Sequence, residues 1–468
     1  MNYSRQPRPD QLRAMKRIYK TERQLIWGGL GTGKTKVALD FIQVMLKAGK
    51  ITRALIVAPL TALVGTWEEQ MEIDAPGLAY SFMVKGIKTN WDCPVVLSNY
   101  DYFISRRVKK RDRFGQVIPD KYERDKTRIN MLLDWKPDVV ILDESHKIRN
   151  RNSQSAKVAH KLGRVCKYAI CLTGTPKGNK RVLDLWSQFK FLKSDLLEER
   201  FEDFKFEHTV YKGYEQKKFR NLDVLAGKIK PFMTRMKLTG LPETTDIPYR
   251  VDMDLHAKKL YKQMEKDFIA EIDKETVVTA PIVLAKLMKL SQLSGGFIRG
   301  NDGVYTAVHR NKLEALQEIC DELLENDTER VVIFCRFRWE IDEIAKLLAP
   351  NWVTYKIDGR AKPHERQLAV RLFNGEAGGA MICQIGTGSA SLNLQTANYM
   401  IFYSTDYSFI NYTQGRGRIH RLGQTKPCFY YQLRCKGTLD AKIYRLLNEH
   451  KDAENEFMRL VDEIRRDL

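Results

Sequence analysis

The sequence has no CxxC pair, no long apolar run, no internal repeat and too few acids to balance its cations, and each absence removes a class of protein. Its eight cysteines are scattered from Cys93 to Cys435, so neither a zinc ribbon nor a disulfide framework is expected. Hydrophobic residues make up 43% of the chain but fall in short runs, well below the roughly 18 consecutive apolar residues of a membrane span. The stretch Met1 to Asp10 holds Arg5, Arg8 and two prolines without an apolar core, which does not read as a secretory signal. A cytoplasmic protein with no membrane partner is expected, nucleoid-associated in a bacterial or phage-infected cell or nuclear in a eukaryote. No 20- to 50-residue period and no low-complexity tract is present, which sets aside solenoid and disordered architectures.

What remains is long and basic. The 79 lysines and arginines outnumber 58 acids, giving a formal net charge of +21. Such a surplus must face solvent or an anionic partner, and a phosphate backbone fits better than a membrane surface or an acidic small substrate. At 468 residues the chain exceeds what one core ordinarily fills, so two large lobes are expected.

Short apolar runs alternate with amphipathic stretches in both halves, the pattern of parallel α/β sheets. Candidate strands in the first half are Arg23 to Trp27, Ala54 to Ala58, Val95 to Ser98, Val139 to Leu142 and Tyr168 to Leu172, with helices at Lys34 to Ala48 and Val182 to Leu192. In the second half they are Val331 to Cys335, Trp352 to Ile357, Ala380 to Cys383, Tyr399 to Tyr403 and Phe429 to Leu433. Leu196 to Arg235 lacks the alternation and is expected to project from the first lobe as helical or irregular material. Gly240, Leu241 and Pro242 mark the boundary, giving lobes 1–240 and 241–468. Tyr261, Phe268 and the apolar positions from Val283 to Leu293 have helical spacing and read as core.

The segment Gly28-Gly29-Leu30-Gly31-Thr32-Gly33-Lys34-Thr35 follows an apolar strand and opens an amphipathic helix. Glycines let the backbone N–H groups converge on phosphates, Lys34 supplies a point charge to the β- and γ-phosphates, and Thr35 offers a hydroxyl to Mg²⁺. ATP and Mg²⁺ are the cofactors this pattern points to. The run Asp138 to Leu142 then ends in Asp143, Glu144, Ser145 and His146, two acids at the carboxyl end of a strand where open α/β sheets bind ligands. Asp143 is assigned to Mg²⁺ and Glu144 to the attacking water, two tasks that need different positions relative to the γ-phosphate.

The motifs in order resemble those of Swi/Snf-type DNA translocases in helicase superfamily 2. The resemblance rests on IVAPLTALVGTWEEQ from Ile56 to Gln70, DESH then KIRN, and LTGTP from Leu172 to Pro176. It continues through IDGR at Ile357 to Arg360, ERQLAVRLFN at Glu365 to Asn374, SLNLQTAN at Ser391 to Asn398 and QGRGRIHRLGQ at Gln414 to Gln424. It covers about residues 8 to 440. The chain departs from the family pattern at Ser145, usually alanine, and at Gly386 to Ser391, where the family is richer in glycine.

The resemblance implies two tandem RecA-like lobes and a DNA-dependent ATPase. It implies that Gln11 in RPDQLRAM contacts adenine and that Arg418 and Arg421 reach the phosphates from the second lobe. It also implies that His146, Thr173, Gly174, Thr175 and Gln414 couple nucleotide state to lobe movement. With both halves of the site in one chain, a monomer suffices. The absence of an appended chromatin reader resembles compact bacterial or phage members, and implies fork or junction remodelling, including branch migration in DNA repair, recombination or replication.

Candidate track residues are Asn99 and Tyr100, Arg336 and Arg338, and Ser389 with Asn393. Between the SNYDYF segment and DESH lies a run with Arg106, Arg107, Lys109 and Lys110 that the ATPase core does not need, expected to form a basic hairpin or loop beside a duplex or branch point. Three alternatives stand at this point: an RNA helicase, an ATP-binding nucleic-acid-binding protein without motor activity, and a small-molecule kinase. The last leaves the second α/β half and the net charge unused.

Overall fold

A computed structural model describes residues 3–449 except 30, 105, 112–116, 126, 175–181, 213–214, 237–239, 275–279, 301, 327, 376–377 and 389–391. The chain divides into two compact units, Met1–Leu238 and Thr239–Leu468.

The first unit opens with helix α1 (Pro9–Thr21), strand β1 (Arg23–Gly28) and helix α2 (Lys34–Lys47). Strands β2 (Ala54–Ala58), β3 (Tyr80–Met83) and β4 (Val95–Asn99) follow. A two-stranded antiparallel excursion, β5 (Arg106–Arg111) and β6 (Val117–Asp125), precedes β7 (Val139–Asp143) and β8 (Tyr168–Thr173). After a second antiparallel pair, β9 (Thr209–Lys212) and β10 (Glu215–Phe219), strand β11 (Met233–Met236) rejoins the main sheet. That sheet has seven parallel strands in the order β11-β1-β8-β7-β2-β4-β3.

Alternate residues of the central strands enter opposite layers. Leu55, Val57, Val140 and Leu142 join one core cluster, and Ala54, Ile56, Val139 and Ile141 join the other. Burial on both faces is why these strands read as continuous apolar runs rather than an alternating pattern.

The second unit contains β12 (Thr244–Val251), a small antiparallel pair β13 (Phe297–Arg299) and β14 (Tyr305–Ala307), then β15 (Arg330–Cys335), β16 (Thr354–Ile357), β17 (Gly379–Gln384), β18 (Tyr399–Phe402) and β19 (Cys428–Cys435). Six of these form a parallel sheet in the order β12-β19-β18-β15-β17-β16. Tyr261, Phe268, Leu287, Leu290 and Leu293 lie in its core, as their helical spacing predicts. The α/β fold class with two parallel-sheet lobes is therefore as expected.

The segment from Leu196 to Arg235 departs from expectation. It holds helices Phe201–His208 and Leu222–Ile229 and the β9–β10 pair, but its end does not project: Met233–Met236 hydrogen-bonds along β1 as an edge strand. A four-residue strand containing Thr234 and Arg235 carries too little apolar signal to be read as sheet. Among the described residues no helix is long and apolar enough to cross a membrane.

Candidate nucleotide site and nucleic-acid residues

The carboxyl ends of β1, β7 and β8 gather the first-unit candidates. Gly31 and Gly33 have φ of +72° and +77°, backbone that glycine adopts without the steric cost other residues carry. Gly33 is also the N-cap of α2 and provides no side-chain cap, so the first helical turn presents its N–H groups as an anion site. Lys34, buried at the start of that helix, donates from Nζ to the Gly28 and Gly29 carbonyl oxygens at 2.7 and 3.0 Å. Thr32 Oγ1 donates to the Gly29 carbonyl at 2.8 Å, and a Cβ on Gly28 would stand 2.6 Å from that hydroxyl. Thr35 is half-buried in the first turn beside Lys34. Leu30 lies outside the described residues.

Gln11 meets this loop. Its Nε2 donates to the Gly33 carbonyl at 3.3 Å while its Oε1 accepts from the Arg8 N–H at 2.8 Å. A Cβ on Gly33 would lie 2.3 Å from Gln11 Nε2, so a larger residue there would push the glutamine amide aside, while the positive φ is what favours glycine. Arg8, which sequence reasoning passed over, donates from Nη2 to the Thr32 carbonyl at 2.6 Å. Its place in the RPDQ run beside Gln11 was the available signal.

Asp143 ends β7, and Glu144 follows it as the cap of the 3-10 turn Ser145–Ile148. Asp143 Oδ2 accepts from the indole Nε1 of Trp67 at 2.9 Å, and Oδ1 accepts from the Glu144 N–H at 3.0 Å. Burial and the neighbouring Glu144 charge push the Asp143 carboxyl up to about 6, against the Trp67 hydrogen bond and the Lys34 charge, which favour ionisation. Lys34 and Asp143 are thus within electrostatic reach of each other. Glu144 has φ of +52°, a left-handed conformation uncommon outside glycine and found preferentially where function over-determines the backbone. His146 Nδ1 stands 3.2 Å from Glu144 Oε2.

Thr173 is fully buried and pairs in register with Trp27. The Gly174 carbonyl accepts from Trp27 Nε1 at 3.2 Å, and its Cβ position lies 3.6 Å from the Gly28 carbonyl. This candidate coupling segment therefore adjoins the first glycine of the loop. Thr175 lies outside the described residues.

Trp67 lies in the IVAPLTALVGTWEEQ run, where the sequence alone assigns it no role. It belongs to a π-helical turn, Leu63–Trp67, a rare geometry met often at functional sites. A fully buried tryptophan needs a partner for its N–H, and that requirement could have prompted a search for its acceptor.

Tyr100 is not on an open surface. Its ring is buried, and its hydroxyl donates to the Asp143 carbonyl at 2.7 Å. Asn99 is also buried, and its Oδ1 has no hydrogen-bond partner among the described residues. The sequence places both after a strand as track candidates; the structure packs Tyr100 into the core of the first unit, where its hydroxyl supports the backbone of Asp143.

In the second unit, Arg418 is buried, with Nε donating to the Gln414 carbonyl at 3.1 Å and Nη1 to the Leu392 carbonyl at 3.1 Å. Arg421 Nη1 approaches the same Leu392 oxygen at 3.4 Å, so the two arginines converge. Gln414 lies in helix Phe409–Arg416. Arg336 stacks 4.1 Å from the Tyr407 ring centroid, and its backbone N–H donates to Ser404 Oγ and to Glu340 Oε2. Arg338 is exposed at the start of helix Arg338–Leu348. Asn393 has a buried Oδ1 without a hydrogen-bond partner among the described residues, while its carbonyl accepts from Asn374. Ser389 lies outside the described residues.

Arg106, Arg107, Lys109 and Lys110 fall on β5, whose pairing with β6 makes the basic stretch a hairpin rather than a loop. No group of three or more His, Cys, Asp or Glu side chains arranged for a metal ion occurs among the described residues. Mg²⁺ ordinarily takes only one or two carboxylates, its other ligands being waters and phosphates. The Asp143 carboxylate and the Thr35 hydroxyl, beside an uncapped helix start, are a donor set of that kind.

The SNF2-related domain family matches residues 11–294 of this chain. The chain belongs to that family. The Helicase conserved C-terminal domain matches residues 311–423 of the same SNF2-related chain. An uncharacterized ATP-dependent helicase of Mycoplasma genitalium is 25% identical over 433 residues, covering 90% of this chain and 39% of that protein. A CHD3-type chromatin-remodeling factor of Arabidopsis thaliana is 27% identical over 436 residues, covering 89% and 34%. The SNF2-related chain thus spans well under half the length of these relatives. The SWI2/SNF2 ATPase core of Sulfolobus solfataricus, solved in complex with dsDNA, is 23% identical with a TM-score of 0.45, covering 98% of this chain and 96% of that one.

Proposed function

We propose that this SNF2-related chain is a DNA-dependent ATPase that translocates along duplex DNA and remodels forks or junctions, including by branch migration. The observation that carries the reading is the placement of Asp143 at the end of β7, with Glu144 next in the chain, where the Lys34 charge of the glycine loop acts on the Asp143 carboxyl. The matched helicase C-terminal domain, the relatives named ATP-dependent helicase and chromatin-remodeling factor, and the net charge of +21 support it.

In this reading Gly28 to Gly33 and the first turn of α2 hold the triphosphate, with Gln11 on the adenine side and Lys34 neutralising the β- and γ-phosphates. Thr35 and Asp143 would hold Mg²⁺, which when bound would supply charge neutralisation of the transferring phosphoryl group. Trp67 and the Glu144 N–H fix the two oxygens of Asp143. Glu144 takes the proton from the attacking water, and His146 beside it orients its carboxylate. Arg418 and Arg421 stabilise charge on the phosphoryl oxygens, a contribution typically of about 10³ to 10⁵ in rate. Thr173, Gly174 and Gln414 couple the nucleotide state to movement.

Phosphate contacts dominate the grip on DNA, so sequence preference is low and affinity falls with salt, with a log–log slope of about −0.9 per neutralised phosphate. The test is ATP turnover with single-stranded, duplex, forked and four-way-junction DNA and with RNA. Stimulation by branched DNA above linear duplex is expected; stimulation by RNA alone would overturn the reading.

A further inference from the structure

A cluster of aromatic rings flanked by cations stands at the carboxyl end of β15 in the second unit, the end at which open α/β sheets take ligands. The β13–β14 register sets Phe297 opposite Ala307 and Arg299 opposite Tyr305. Alternate residues of a strand share a face, so these four lie on one side of the hairpin. Phe297 is fully buried there. Its ring stacks on Trp339 with centroids 4.5 Å apart and meets Phe337 at 5.4 Å and Tyr305 at 5.8 Å. Strands of three residues do not hold a hairpin together in water, so Phe297 is the anchor that fixes this one to the start of helix Arg338–Leu348.

Anchoring accounts for Phe297 but not for the open rings around it. Tyr305 keeps 41% of its surface exposed and the adjoining Val304 58%, while Phe337 and Trp339 are half-buried. Arg299 lies 5.4 Å from the Tyr305 ring centroid, and its Nε donates to the Gly303 carbonyl at 3.2 Å. Arg336 lies 5.1 Å from the Phe337 centroid, and Arg338, between Phe337 and Trp339, is exposed. The Glu340 carboxyl is fully buried and accepts from the Arg336 and Phe337 N–H groups, and Asp302 accepts from the Val304 N–H in the hairpin turn, which leaves the arginines in excess at the surface. Open rings set among guanidinium groups match unpaired bases, since a ring covers a base face while the cations hold the adjoining phosphates. In a duplex each base face is already covered by its neighbour, and exposing it costs unstacking. We infer that Tyr305, Phe337 and Trp339, with Arg299 and Arg338, form a stacking platform for the bases of single-stranded DNA, the kind of strand that a fork or junction carries.

This inference rests on the DNA-motor reading, of which it names the part of a branched substrate that the second unit takes, and it is separable from that reading. The experiment is equilibrium binding of four fluorescent substrates: a blunt duplex, a fork with single-stranded DNA arms, the same fork with abasic arms, and the same fork with RNA arms. ATP turnover stimulated by the blunt duplex is measured beside it. Wild type is compared with Tyr305→Phe, which keeps the ring, and Tyr305→Leu, which keeps apolar bulk without one. The abasic comparison is made on wild type and so depends on no variant folding.

Wild type is expected to bind the fork with DNA arms about 5-fold or more tightly than either the blunt duplex or the abasic fork, the scale of one stacked base. Tyr305→Phe should keep that preference and Tyr305→Leu should lose it, while blunt-duplex affinity and duplex-stimulated turnover stay at wild-type values in both. Equal wild-type affinity for the base-bearing and abasic forks would overturn the platform while duplex-stimulated turnover left the motor reading standing. A preference that survives in Tyr305→Leu, or that Tyr305→Phe loses equally, would overturn stacking on this ring. RNA arms held more tightly than DNA arms would reassign the surface to RNA and overturn the assignment to DNA. Absence of wild-type binding to every DNA substrate would remove both the platform and the motor reading. Arg299→Gln should make the salt slope of fork binding shallower by about 0.7, the share of one single-strand phosphate contact, and an unchanged slope would overturn that contact.

Discussion

The Trp67 indole N–H donates to Asp143 Oδ2 at 2.9 Å, tying a π-helical turn to the acid at the end of β7. Hydrogen bonds to charged groups contribute about 1.5 to 3 kcal/mol. Trp67→Phe keeps most of the buried ring and removes only the donor, so turnover should fall roughly 10- to 100-fold with the fold intact. Steady-state kcat measured beside circular dichroism checks this; a kcat within about twofold of wild type would leave the bond without a catalytic role.

Gly33 combines a φ of +77° with a Cβ position 2.3 Å from Gln11 Nε2. Gly33→Ala imposes roughly 1–2 kcal/mol of backbone cost and displaces Gln11. Affinity for a fluorescent ATP analogue should weaken by about 10-fold or more. Undiminished affinity would show that neither the loop geometry nor the Gln11 contact matters to nucleotide binding.

Arg418 and Arg421 share the Leu392 carbonyl but differ in burial. Alanine at either position should lower ATP turnover by about 10³-fold or more. Arg418→Ala should also lower the melting temperature, because the Gln414 and Leu392 carbonyls lose a buried donor. Turnover and thermal denaturation measured on both variants separate the catalytic from the structural loss.

Burial raises the Glu340 carboxyl from its usual 4.5 to about 7, although Ser404 and the Arg336 and Phe337 N–H groups hydrogen-bond to it. The folded state therefore holds a proton that the unfolded chain has released. Stability contributed by the neutral carboxyl is full below about 4.5 and is lost as pH rises through about 7, on the order of 3 kcal/mol in total. Urea unfolding from about pH 5 to about pH 8 should show wild type losing more stability than Glu340→Gln. Parallel curves would mean that Glu340 titrates alike in both states.

Sequence reading found the central strands because they are buried on both faces. Val139–Asp143 and Ala54–Ala58 are almost uniformly apolar, and a strand of that kind announces itself. The edge strands β3, β11 and β12 escaped: Tyr80–Met83 is mostly half-buried, and Thr244–Val251 is largely exposed and contains Pro248, both usual for edges. The glycine loop and the acid pair were legible because their chemistry is local in sequence. Trp67 and Tyr100 were not. Each serves Asp143 across a long sequence separation, and a side chain's acceptor is fixed by packing that no local pattern records.

The most direct test is steady-state ATP hydrolysis by wild type and Glu144→Gln, with and without duplex, forked and four-way-junction DNA. The account predicts turnover that DNA stimulates strongly in wild type and that Glu144→Gln abolishes while nucleotide binding persists. Wild-type turnover indifferent to DNA, or undiminished hydrolysis in Glu144→Gln, would contradict it.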